Sequence, residues 1–154
     1  MPTRHKRKNA EEYQTYIFQI DEVRPTYALG TNEDRPREPP YGEYLHVEFL
    51  ASCVSPEKFA GRKTRLLFIG SRSLVSEVAD PRSTSTPMGV GTLTMRGDRS
   101  EYLGSLPYDA AIAVPQFALA GGIRIIYLHG LSMRHGSARI RYSAFYPDID
   151  LTEL

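Results

Sequence analysis

The 154-residue chain has one cysteine, Cys53, and no apolar run long enough to cross a membrane. A single cysteine cannot form an internal disulfide, which excludes the disulfide-stapled class of small secreted domains. The longest apolar stretch, around Ala110 to Ala120, is interrupted by Pro115 and falls short of the ~20 residues of a transmembrane helix. The N-terminus is basic but has no apolar segment behind it, unlike a signal peptide. We therefore expect a cytoplasmic protein with no membrane partner.

Carboxylates are also missing from a long stretch, since no Asp or Glu lies between Asp109 and Asp148. Within it, the segment Gly121 to Pro147 contains four arginines, two histidines and four aromatic residues. The whole chain has a formal net charge of only +1, so attraction for an anionic partner must come from local asymmetry of this kind. The C-terminal segment is therefore the candidate functional surface.

The composition is that of an ordinary folded domain, with 41% hydrophobic and 24% charged residues. A chain of this length is typical of a single domain with its own core. The polar and basic N-terminus cannot bury enough apolar surface to offset its ordering entropy. We predict a disordered basic tail over residues 1–11 and a single β-rich domain over residues 12–154.

Alternation of apolar and polar residues predicts strands along most of the domain. It is clearest in the segment YLHVEFLASCV, where Leu45, Val47, Phe49, Ala51 and Cys53 share one face. Other strands are predicted over 14–23, 62–72, 91–96 and 101–106, with a hairpin at the C-terminus. Prolines and glycines between residues 24 and 43 predict a long loop.

One helical segment is predicted from Tyr108 to Gly122, broken at Pro115 or split there into two short helices. Counting the elements gives a β-rich, mainly antiparallel fold: a small barrel or a β-sandwich with one short helical segment. Five strands with a helix before the last pair would also fit an OB-like barrel. The sequence leaves these architectures open.

Alternation in the last strand places Ala138, Ile140, Tyr142 and Ala144 on an apolar face. Arg139 and Arg141 then share the opposite face, about 7 Å apart. The neighbouring strand and the turn contribute further basic groups. The candidate binding residues are Arg124, His129, Arg134, His135, Arg139, Arg141 and Tyr142.

Three interpretations of this basic and aromatic hairpin remain open. It could bind another protein or a second copy of the chain, or it could bind single-stranded nucleic acid, with guanidinium groups on phosphates and rings on bases. The arginines could instead prevent the strand edge from pairing with another chain, and form ion pairs with carboxylates such as Glu43, Glu48 or Asp148. We expect a small non-enzymatic interaction protein, with protein–protein or self-association first and an OB-like nucleic-acid-binding module as the alternative.

A further alternative is an enzyme that uses His46, Glu48 or His129 as a general acid or base, in a cleft roofed by the loop Pro25 to Tyr41. The sequence contains no nucleophile or dinucleotide motif with the required spacing. The histidines lack the short helical or loop spacing that identifies a metal site. Cys53 falls on the apolar face of its strand, where a thiol is usually inert. We expect no metal and no cofactor.

Overall fold

The computed structural model describes residues 11–33, 39–74, 89–150 and 152, so the predicted tail lies outside the described residues except for Glu11. The described part is mostly β-strand, which confirms the predicted fold class. A 3-10 turn covers Glu57–Phe59, and helix α1 covers Tyr108–Leu119. The strands are β1 (Tyr13–Thr31), β2 (Tyr41–Ser55), β3 (Lys63–Ser71), β4 (Gly91–Arg96), β5 (Arg99–Pro107), β6 (Ile125–Leu131) and β7 (Ser137–Tyr146).

The seven strands form one sheet in the order β1-β2-β3-β5-β4-β7-β6. Strands β6 and β1 also pair, so the sheet closes on itself as a barrel-like ring rather than stacking as two layers. The β3–β5 pair is parallel and the other strand pairs are antiparallel, which confirms a mainly antiparallel sheet. The ring has two strands more than the five of an OB-fold.

The core fills the inside of the ring. Its largest fully buried side chains include Tyr16, Phe18, Phe49, Phe68 and Tyr102. The alternating face predicted for β2 is buried from Leu45 to Cys53, as expected. Burying one large apolar side chain contributes roughly 1.5–3 kcal/mol, so these aromatic side chains contribute much of the stability of the closed sheet. Burial also raises the pKa of the Cys53 thiol to about 11, consistent with an inert packing role.

Helix α1 is one continuous helix, so the prediction of a break at Pro115 is wrong. Pro115 is buried and costs the helix one backbone hydrogen bond without ending it. The end comes at Gly121, whose φ is 80°, and the amides of Gly121 and Gly122 donate to the carbonyls of Ala118 and Phe117. The helix packs against β1, β2, β3 and β5. No helix in the described ranges is long and apolar enough to cross a membrane.

The predicted loop over residues 24–43 is largely wrong, because β1 continues to Thr31 and pairs with β2 from Tyr41 onward. Pro25 is tolerated since, among the described residues, this part of β1 pairs only with β2, so that its missing N–H disturbs no second ladder there. The connection between the two strands begins after Thr31, and residues 34–38 lie outside the described part. We call Thr26–Thr31 with Tyr41–Leu45 the ribbon, because it extends beyond the strands that flank β1 and β2.

Candidate functional site

The C-terminal hairpin of β6 and β7 is present as predicted, and it ends in a tight turn. His135 and Gly136 both have positive φ, 52° and 79°, as in a two-residue turn that matches the twist of the flanking strands. Arg134 and Ser137 bridge across its base. The turn therefore holds Arg134 and His135 at the tip of the hairpin.

A β-bulge interrupts the middle of the hairpin. His129 lies opposite Tyr142 and Gly130 lies opposite Ile140, which leaves Arg141 without a partner in the ladder. The extra residue reverses the alternation of β7 beyond it. Ile140 is fully buried while Tyr142 is 50% exposed, so the predicted apolar face does not continue to Tyr142. Phe145 takes the inward direction instead and contacts core rings of β2 and β3.

Gly130 makes this bulge sterically feasible. A Cβ atom at residue 130 would lie 2.7 Å from the Cα of Ile140 and would collide with the carbonyl oxygen of Arg139. Both obstacles are backbone atoms, which cannot rotate out of the way as the end of a side chain can. The close approach of β6 and β7 at this point therefore requires glycine.

The bulge brings aromatic residues of three strands together on the outer face of the ring. The rings of Tyr13 and His129 stack with centroids 5.8 Å apart and an interplanar angle of 6°. Tyr127 makes edge-on contacts with Tyr142 at 6.0 Å and with Tyr146 at 5.9 Å. We call this surface the tyrosine patch; it comprises Tyr13, Tyr127, His129, Arg141, Tyr142 and Tyr146.

Hydrogen bonds fix the positions of the rings in the tyrosine patch. The Thr15 hydroxyl lies 3.0 Å from Nδ1 of His129 and 3.3 Å from the Tyr127 hydroxyl. The hydroxyl groups of Tyr142 and Tyr146 are 3.4 Å apart, and this hydrogen bond raises the pKa of Tyr146. The polar groups at the edges of the patch therefore already have hydrogen-bond partners, while the ring of Tyr142 remains half exposed.

Arg141, the bulge residue, closes the patch on the side of β1. Its guanidinium carbon is 5.5 Å from the centroid of Tyr13, and Nη1 donates to the Tyr13 hydroxyl at 2.8 Å. Nη2 also lies 3.3 Å from the Glu11 carboxylate. The sequence suggested Glu43, Glu48 or Asp148 as carboxylate partners, but Glu11 takes this place.

The seven predicted binding residues do not share one surface. His129, Arg141 and Tyr142 belong to the tyrosine patch. Arg134 and Arg139 line a cavity of about 220 Å³ together with Glu11 and Glu12. The exposed Arg124 and His135 lie before β6 and at the hairpin tip, at opposite ends of the hairpin. Among the described residues, the side chains of Arg124, Arg134 and Arg139 form no ion pair.

The two histidines considered for an enzyme site, His46 and His129, are not brought together. His46 lies opposite Thr26 and His129 opposite Thr15, positions about 36 Å apart along β1 at 3.3 Å per residue. Glu48 is held by Arg65 at 2.6 Å and Arg24 at 3.7 Å. The cavities of about 220, 470 and 160 Å³ formed by described residues contain no histidine. Of the predicted roof, residues 25–31 belong to β1 and Tyr41 begins β2, while residues 34–38 lie outside the described part.

Sequence reasoning missed three members of the outer face around His129: Tyr13, Thr15 and Tyr146. Their proximity depends on the pairing of β1 with β6, which joins segments over 100 residues apart in the chain. It also depends on the bulge, whose sequence signal is the single glycine at position 130. Neither feature follows from local alternation.

A second polar cluster, also missed, lies at the irregularity in β1. The Asp21 carboxylate accepts hydrogen bonds from Ser52 at 2.7 Å and Lys63 at 3.0 Å, which lower the pKa of Asp21. The side chains of Lys63 and Asp21 are 76% and 41% exposed. This is a solvated ion-pair network beside the cavity of about 470 Å³.

Within the described part of the chain, no group of three or more His, Cys, Asp or Glu side chains is placed to hold a metal ion. Comparison with known proteins adds no functional information, because no family model, curated protein or solved structure matches the chain. The inference of function therefore depends on the surface chemistry alone.

Proposed function

We propose that this chain is a small non-enzymatic binding protein whose C-terminal hairpin contacts another protein through the tyrosine patch. The observation that supports this most directly is the composition of the patch, with four tyrosines, a histidine and an arginine on one outer face. They form two groups of contacting side chains that are joined through the Thr15 hydroxyl. Tyrosine and arginine are enriched among the residues that dominate protein–protein binding energy. None of these side chains lines a described cavity, as a small-molecule site would require.

The internal contacts of the patch favour binding because they reduce its entropic cost. Each side chain that must be immobilised on binding costs about 0.5–1.5 kcal/mol. Tyr127 and His129 are held by Thr15, and Arg141 is held by Tyr13 and Glu11 before any partner arrives. Tyr142, half exposed beside these fixed groups, is then the natural anchor for a partner.

The same contacts make single-stranded nucleic acid a weaker candidate. Base stacking needs an open ring face, and the half-exposed ring of Tyr13 already stacks on His129 and contacts Arg141. Phosphate binding needs unpaired cations, and of the four arginines of the hairpin segment Arg141 is already paired, with Glu11. Arg134 and Arg139 share their cavity with Glu11 and Glu12, whose charges oppose a phosphate backbone.

The test compares two exposed tyrosines on different surfaces. Tyr142→Ala removes the centre of the patch, and Tyr44→Ala removes a tyrosine of similar exposure, 59%, from the ribbon. Partners captured by the wild-type protein after nuclease treatment are identified, and binding of the purified partner is then measured. We expect Tyr142→Ala to weaken binding at least about tenfold, as for a hot-spot residue, and Tyr44→Ala to leave it unchanged.

Nucleic acid is tested directly with labelled single-stranded oligonucleotides at ~50 mM salt, where even non-specific phosphate contacts are strong. We expect no binding. If binding is found, the double change Arg139→Ala with Arg141→Ala would flatten the salt dependence by about 1.4 in the logarithmic slope. That outcome, or a purified partner that binds Tyr142→Ala as tightly as wild type, would contradict the proposed function.

A further inference from the structure

The ribbon is a two-stranded arm with open edges. Strand β6 pairs with β1 only from Tyr13 to Gln19, and β3 pairs with β2 only from His46 to Ser52. Within the described ranges, Thr26–Thr31 therefore has β2 as its only strand neighbour. Six residues at ~3.3 Å each give a free edge about 20 Å long.

Polar contacts of Glu43, which lies opposite Leu29 in the ribbon, hold the ribbon in a defined position. The Glu43 carboxylate accepts hydrogen bonds from Tyr27 at 2.9 Å and from Arg72 at 2.7 Å. Arg72 in turn lies over the ring of Tyr108 at 4.0 Å, which ties the ribbon to the start of α1. At the far end, the amide of Asn32 donates to the Pro40 carbonyl at 2.9 Å. The ribbon is thus tied to α1 through Glu43 and Arg72, and its two strands are joined to each other at the far end, so its edge is ordered before a partner binds.

The two edges of the ribbon differ in their protection. The β2 edge carries Glu43, which is occupied by Arg72. The β1 edge reads TYALGT from Thr26 to Thr31 and contains no charged residue and no proline. Natural proteins normally block an exposed edge with charges, prolines or bulges, and an unblocked, uncharged edge is a site for strand pairing.

This edge is complementary to itself. In an antiparallel pairing about a two-fold axis at Ala28, Tyr27 of one copy lies opposite Leu29 of the other, and the reverse pair forms by symmetry. Tyr27 and Leu29 are 56% and 63% exposed, so both gain burial from this aromatic–aliphatic cross-strand contact. No like charges meet, since Thr26 then faces Gly30 and the nearest charged residue, Arg24, faces Asn32.

We propose that the β1 edge of the ribbon pairs with the same edge of a second copy of this chain and forms a two-fold symmetric dimer. This interface is separate from the tyrosine patch and does not depend on the proposed function. A standard stable interface uses roughly 20–30 residues on each side, so a six-residue edge supports a weak, reversible dimer with a dissociation constant on the order of 100 µM.

The test measures the mass of the protein by sedimentation from ~10 µM to ~1 mM, the range in which an interface of this size forms and dissociates. Ala28→Lys places two ammonium groups opposite each other at the two-fold axis, and Ala28→Glu places two carboxylates there. We expect each variant to raise the dissociation constant at least about tenfold. An equimolar mixture of the two should dimerise again, because the charges across the axis are then opposite.

The matched control is Ser105→Lys, which adds the same charge at an exposed position of β5, a strand paired on both sides within the ring. It should dimerise like the wild type, and circular dichroism should show that all variants are folded. A monomeric wild type up to ~1 mM, far above the concentration that such an edge requires, would overturn the proposal. So would dimers that Ala28→Lys does not weaken, or a mixture that stays monomeric.

Failure of this dimer is distinguishable from failure of the proposed function. The charged Ala28 variants leave the tyrosine patch intact and should bind the captured partner as the wild type does. Tyr142→Ala leaves the ribbon intact and should dimerise as the wild type does. If Tyr142→Ala abolished dimerisation, the two copies would be meeting through the tyrosine patch, and the ribbon proposal would be wrong.

Discussion

The barrel-like ring and the ribbon share strand β1, but similar residues of this strand are buried in the ring and exposed in the ribbon. At Ile17 and Phe18 the strand pairs with both β2 and β6, and the side chains of residues 16–18 are all fully buried. From Thr26 to Thr31 it pairs with one strand of the described part, β2, and every residue is exposed. Because TYALG is nearly as apolar as TYIFQ, the difference comes from the number of neighbouring strands rather than from side-chain hydrophobicity.

The residues of the ring and those of the ribbon should therefore affect two different properties, the stability of the fold and the association with other molecules. A residue in the ring contributes mainly to folding, because its partners belong to the same chain. A residue at an unpaired edge contributes little to folding and is free to contact another molecule. Substitutions of the same type in the two regions should therefore change different measured quantities.

The largest difference in folding stability is expected between alanine substitutions at two glycines, one in the ring and one in the ribbon. Gly130→Ala places a methyl group against the backbone of β7, so we predict a loss of about 4 kcal/mol or more in the free energy of unfolding. Gly30→Ala in the ribbon meets nothing within 4 Å and should change it by less than about 1 kcal/mol. Urea titration followed by circular dichroism measures both.

A loss at Gly130 that large approaches the total stability of a small domain, roughly 5–15 kcal/mol. Low yield of soluble protein would agree with it. If Gly130→Ala were as stable as Gly30→Ala, the bulge would tolerate a side chain, and the geometry that orients Tyr142 outward would be incorrect.

The next contrast uses one substitution, leucine to alanine, in two places. Leu128 in β6 is fully buried, and Leu128→Ala should cost about 3 kcal/mol through lost burial and the remaining cavity. Leu29 in the ribbon is 63% exposed, and Leu29→Ala should change folding by less than about 0.5 kcal/mol. Thermal and urea unfolding give the first value, and sedimentation should show that Leu29→Ala instead weakens the proposed dimer.

Equal folding losses from the two leucine substitutions would show that the ribbon packs against the ring in solution. The open-edge description would then fail, together with the dimer. A loss at Leu128 alone would leave the contrast between the two regions intact.

The sequence predicted the ring better than the ribbon for a physical reason. Alternation reports burial on one face, and Leu45, Phe49 and Cys53 alternate because that face meets the core. In the ribbon only Leu45, at its base, meets the core, and both faces of Thr26–Thr31 are exposed, so this part of the sequence carries no such signal. Pro25 and Gly30 gave it the composition of a loop. Its strand structure comes from pairing with β2, which is a property of two distant segments together.

The candidate site was predictable in part for a similar reason. The absence of carboxylates identified the hairpin, and His129, Arg141 and Tyr142 do lie together on its outer face. Tyr13 was not predicted, because only the closure of the ring by β1 and β6 brings it beside His129. The outward turn of Tyr142 was not predicted either, since a one-residue bulge reverses every later side chain.

The smallest expected effect concerns the carboxylate of Glu43, whose hydrogen bonds join the ribbon to the rest of the molecule. Hydrogen bonds from Tyr108, Arg72 and Tyr27 lower the pKa of Glu43 from its ordinary value of 4.5 to about 2. A carboxyl group with a lowered pKa in the folded state stabilises that state above pH 4.5, and the contribution is lost as the pH falls from 4.5 through about 2. Glu43 lies at the surface, where solvent screens its interactions, so this contribution to stability is small and should weaken with salt.

The expected result is a Glu43 carboxyl signal that titrates well below pH 4.5 by nuclear magnetic resonance, with ribbon amides exchanging faster as the signal moves. Tyr108→Phe removes one hydrogen bond while keeping the ring under Arg72, so it should raise the pKa of Glu43 without altering Leu128 and its neighbours in the ring. An ordinary pKa near 4.5 in the wild type would mean that Glu43 does not anchor the ribbon. The free edge of β1 would then lack the fixed position that makes it complementary to a second copy.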